Sequence, residues 1–81
     1  MTTENPCESI RQLEELCERD DRGESWAVTT LRQKAITYLI LAEIMCEWGY
    51  RSDALRCVRW AREAIHAMQN LRFAERLVES N

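Results

Sequence analysis

The chain has 81 residues, 46% of them apolar and 31% charged, which is the balance of one small globular domain over residues 1–81 and not of a disordered chain. Two glycines and one proline are too few for the many turns of a sandwich or barrel. Fourteen acidic against eleven basic residues give a net charge of −3, which argues against bulk affinity for nucleic acid.

The first helix signal is Asn5-Pro6-Cys7-Glu8. Asn5 reads as the N-cap, Pro6 takes the first helical position where its missing N–H is harmless, and Glu8 is placed to reach back. Cys7, Ile10, Leu13 and Leu16/Cys17 follow at helical spacing on an otherwise acidic rod, and Asp20-Asp21-Arg22-Gly23 stops it. The expected helix covers about residues 6–19.

From Gly23 to Gly49 there is no breaker. Val28, Leu31, Ala35, Tyr38, Ala42 and Met45 alternate at intervals of three and four. Ile36, Leu39, Ile40 and Ile44 supply a second apolar face, so this helix, about residues 25–48, must be covered on two sides. Trp26 and Trp48 bracket it as expected caps on the core.

Gly49 is placed for a left-handed C-terminal turn and Ser52 for the next cap. Ala54, Val58, Ala61, Ile65 and Met68 form the core stripe of a third helix, about residues 52–78. The stripe drifts past Leu71, placing Phe73 and Leu77 on a new face with His66 and Asn70; a bend near Asn70 is one reading of that drift. The short connection at Gly49–Arg51 makes the second and third helices an antiparallel hairpin. The expected class is an all-α, three-helix domain.

Tyr38, Leu41-Ala42, Met45, Gly49, Ala54, Val58 and Ala61 stand in the order and spacing of one tetratricopeptide repeat, and the stretch Tyr38–His66 resembles that helical hairpin. The resemblance implies that Ala42, Ala54 and Ala61 let two backbones approach closely. The string Glu47-Trp48-Gly49-Tyr50, Ala54, Trp60-Ala61, Asn70 and Phe73-Ala74 is similar to that of short bacterial negative regulators of AraC-type activators and of PerC-like regulators. The small chaperones of type III secretion resemble the chain in the same hairpin. These likenesses imply a regulator or chaperone that binds protein.

Chemistry-bearing patterns are absent. The one histidine, His66, lies nine residues from Cys57, on the other side of a helix. Glu14-Glu15 and Asp20-Asp21 are adjacent and point apart. There is no phosphate loop and no metalloprotease motif, so neither catalysis nor a cofactor is expected. Cys7, Cys17, Cys46 and Cys57 have no zinc spacing. Cys7 and Cys17 fall about 15 Å apart on one helix, too far to bridge, whereas Cys46 and Cys57 flank a turn. No run of 18 apolar residues occurs and Met1–Asn5 is polar, so the expectation is a cytoplasmic protein without membrane association.

Charge is uneven. Residues 1–24 are strongly acidic, while Arg51, Arg56, Arg59 and Arg62 cluster at the start of the third helix. Either the acidic helix offsets these arginines within the domain, or they attract an acidic partner. Met45, Gly49, Leu55 and Val58 also fit a DNA-binding helix-turn-helix reading through the third helix, with Arg51, Arg56 and Trp60 outward. Asp53 in the reading turn opposes that alternative. A single repeat hairpin does not bury its own faces, and Trp60, Phe73 and Leu77 add apolar surface beyond what three helices hide. The expected function is therefore binding to a protein partner, acidic or with an apolar groove. Trp60, Phe73 and Leu77 would be anchors and the four arginines would steer, in a homodimer or hetero-complex. A phage-type inhibitor of a host complex has the same physics.

Overall fold

The computed structural model describes residues 5–17 and 23–79. They form α1 (Pro6–Cys17), α2 (Trp26–Glu47) and α3 (Arg51–Glu79), with no strand among the described residues. The class is all-α, as the periodicity predicts.

α1 begins as expected: Asn5 Oδ1 accepts the Cys7 N–H at 3.1 Å, and the Asn5 carbonyl accepts the Ser9 N–H at 3.1 Å. Ile10, Leu13 and Cys17 are buried. Cys7, expected on the same stripe, is exposed, because it sits in the first turn at the edge of the groove between α1 and α2. The expected last turn at residues 18–19 and the stop signal at 20–22 lie outside the described residues.

α2 is capped by Ser25, whose backbone is extended and whose side-chain oxygen accepts the Val28 N–H at 3.3 Å. Its far end is a Schellman turn. Trp48 is the cap residue, Gly49 adopts φ +82°, the Gly49 N–H bonds the Cys46 carbonyl, and the Tyr50 N–H reaches the Met45 carbonyl at 2.8 Å. A β-carbon on Gly49 meets nothing within 4 Å; glycine is needed there for the left-handed conformation alone.

That turn corrects the expected start of the third helix. Tyr50 follows the completed turn, and its carbonyl already accepts the Ala54 N–H at 3.0 Å. α3 therefore begins at Arg51, and Ser52 lies inside its first turn instead of capping it. α3 continues through Asn70 as one helix. At 29 residues against 22 in α2, it is about 10 Å the longer, so its last turns outrun the start of α2. Phe73 and Leu77 lie past the end of that neighbour and are exposed.

Val28, Ala35, Leu39 and Ala42 from α2 pack on Cys57, Val58, Ala61, Ala64, Ile65 and Met68 from α3, with Ile10, Leu13 and Cys17 closing one side. Alanines at the crossing allow close packing without large side chains. Leu31 and Tyr38 flank this core half-buried. The second apolar face of α2 divides: Leu39 is buried, whereas Ile36 and Ile40 are not. Trp26 and Trp48, expected as caps on the core, are exposed outside it. Both fall on the outer side of α2, opposite its buried stripe.

Glu24, just ahead of α2, ion-pairs with Arg32 of α2 and Arg72 of α3. All three side chains are largely buried. This clamp involves neither α1 nor the Arg51–Arg62 cluster.

Candidate protein-binding surface

Helical geometry sorts the expected partner-binding residues into two sets. Arg59, Arg62, Phe73 and Leu77 recur at helical spacing along one face of α3, with the exposed His66 between them. The unbroken helix thus lines up two arginines and two apolar side chains. Phe73 is 65% exposed and Leu77 54%. Arg59 is exposed and Arg62 half-buried.

Trp60 belongs elsewhere. It lies on a neighbouring face of α3, where its ring meets Tyr38 of α2 with centroids 5.5 Å apart and planes at 48°. Leu31, Lys34, Glu63, Ala64 and Ala67 line the same shallow groove between α2 and α3. Arg56 and Arg51 are exposed, at the hairpin end of α3. Arg51 lies close enough to Cys46, and Arg56 to Cys57, to favour their thiolates.

Of the residues matched to the repeat hairpin, Ala42, Ala54, Val58 and Ala61 are buried, Tyr38 and Met45 are half-buried, and Gly49 makes the turn. Leu41 is the exception. It is 39% exposed, and Ile40, 51% exposed, sits at the edge of the groove where α2 meets Glu14 and Cys17 of α1. Thr37, Ile40, Leu41, Ile44 and Trp48 share the outer side of α2, a run with no charged residue. The apolar outer side of α2 was foreseen in Ile40 and Ile44; the part played by Leu41 and Trp48 was not. The missed signal was the lack of any charge at those five positions.

A second feature escaped the sequence. Cys46 shares the groove between α1 and α2 with Cys7. Burial, followed by the neighbouring Cys7 thiol, pushes the Cys46 thiol up to about 11. Burial likewise raises Cys57, with Asp53 adding to the effect. Among the described residues no cluster of three or more His, Cys, Asp or Glu side chains is arranged to hold a metal ion. No helix among them is long and apolar enough to cross a membrane.

The fold and surface define a small three-helix domain with an unpartnered apolar helix face. No family model, curated protein or solved structure matches the chain.

Proposed function

We propose that this chain is a non-enzymatic protein-binding module, acting as a small regulator, chaperone or inhibitor that masks a surface of its partner. The observation that carries this reading is the charge-free outer side of α2, where Ile40 and Leu41 are open to solvent on a helix already packed on its other side. Contiguous exposed apolar surface of this kind is characteristic of interfaces. Phe73 and Leu77 on α3 supply a second apolar contact, with Arg59 about 21 Å along the same face to draw an acidic partner. Without another partner the chain pairs with itself through the outer side of α2.

The helix-turn-helix alternative draws less support. Asp53 sits in the first turn of α3, where its carboxylate repels phosphate, and Trp60 is engaged with Tyr38. A sequence-specific, salt-dependent gel shift weakened by Arg56→Ala would favour that alternative.

Affinity capture from the source cells, compared between the unaltered chain and an Ile40→Glu/Leu41→Glu variant, tests the proposal. The expected result is a specific protein held by the first and lost by the second, with circular dichroism unchanged. Equal capture by both contradicts it.

A further inference from the structure

α1 runs antiparallel to α2, and the two helices match in spacing. Cys7, Ile10, Glu14 and Cys17 line the grooves between them in the reverse order of Cys46, Glu43, Leu39 and Ile36. Steps of three, four and three residues on each helix keep the register, so Cys7 falls opposite Cys46 at one end. Both residues line that end of the groove. Cys7 is exposed and in the first helical turn, next to the N-cap, where a helix end yields more readily than its interior; Cys17 and Cys57 are buried.

We propose that Cys7 and Cys46 form a reversible disulfide site, oxidised by thiol–disulfide exchange with a small disulfide of the glutathione class, that locks α1 onto α2. The order of events follows from access. The Cys7 thiolate attacks one sulfur of the small disulfide, expels a thiolate, and becomes a mixed disulfide. Cys46 then loses its proton to solvent and attacks the Cys7 sulfur, expelling the second small thiol. Two protein thiols and one small disulfide become one protein disulfide and two small thiols.

Cys46 suits the second role. Its raised pKa makes it a poor first nucleophile, and part of the cause is Cys7 itself. Once Cys7 is capped, it no longer carries a thiolate to oppose that of Cys46. Cys46 is then easier to ionise beside an electrophile that the fold already holds next to it. The bond would close a loop running from α1 through the connection to the end of α2, and so tether the shortest helix of the domain. This site does not depend on partner binding.

The test treats the whole chain with oxidised glutathione at mildly alkaline pH, followed by non-reducing digestion and mass spectrometry. The expected product keeps two of the four thiols, carries no adduct, and yields a peptide pair joined at Cys7 and Cys46. Its melting temperature rises by about 15–30 °C, as closing a loop of this length predicts, and dithiothreitol reverses both changes. Cys7→Ser, a replacement at an exposed position, should lose the link and the thermal gain; Cys46→Ser should stop at a glutathione adduct on Cys7. A persistent adduct on Cys7 in the unaltered chain, a Cys46–Cys57 link or a link between chains would overturn the proposal.

Discussion

The rings of Tyr38 and Trp60 meet at 5.5 Å across the hairpin, and the two residues stand equally far from Gly49 along the chain. Leu31 and Ala67, on the same groove, are also equidistant from it. The turn at Gly49 therefore sets an in-step antiparallel register, and the aromatic pair holds that register at mid-length. Trp60 is a hairpin residue first and a partner contact only through its exposed edge.

This assignment predicts a stability cost for Trp60→Ala. Loss of the ring pair and of the half-buried indole amounts to about 2 kcal/mol. In a double-mutant cycle with Tyr38→Ala, the coupling should be about 0.5–1.5 kcal/mol. Urea denaturation of the four proteins measures it. Additive losses mean that the rings do not act together.

Ala42 and Ala61 are both fully buried at the crossing of α2 and α3. Leu at either position overpacks it and costs about 1–3 kcal/mol. The exposed Ala27, near the start of α2, is the control, and Ala27→Leu should be nearly neutral. On a total stability of roughly 4–12 kcal/mol, thermal melts resolve the difference. If all three variants melt together, close helix packing at Ala42 and Ala61 is wrong.

The α2–α3 core was legible because small residues recur at intervals of three and four: Ala35, Ala42, Ala54 and Ala61 all lie where their spacing places them. The caps at Asn5 and Ser25 and the turn at Gly49 follow from local hydrogen-bonding chemistry. The direction of α2 was not legible. A helix apolar around most of its circumference has little amphipathic contrast, so nothing local distinguishes the inward Leu39 from the outward Ile40 and Leu41. The Cys7–Cys46 proximity and the Glu24 clamp join residues far apart in sequence. Both depend on how α1 and the α2 approach dock, which no single helix pattern encodes. Trp26 and Trp48 misled because aromatic size suggests burial, while both stand on the outer side of α2, opposite its buried stripe.

Alkaline pH should weaken the fold through Cys46. Its thiol is pushed up to about 11 in the folded chain from an ordinary 9.0. The folded pKa is the higher one, so the stabilisation is complete below about pH 9 and falls away as pH rises towards about 11. Denaturation midpoints at about pH 8 and about pH 10.5 should drop further for the unaltered chain than for Cys46→Ser, which has no thiol to ionise. Equal drops would mean that Cys46 keeps an ordinary pKa in the fold.

The outer side of α2 is tested most directly by light scattering on the purified chain across the micromolar range. Pairing through Ile40 and Leu41 predicts a concentration-dependent mass approaching twice the 9.6 kDa of one chain. Ile40→Glu/Leu41→Glu should return it to a single chain without loss of helix. A cooperatively folded particle of 9.6 kDa at every concentration, unchanged by those substitutions, would contradict self-pairing through this face.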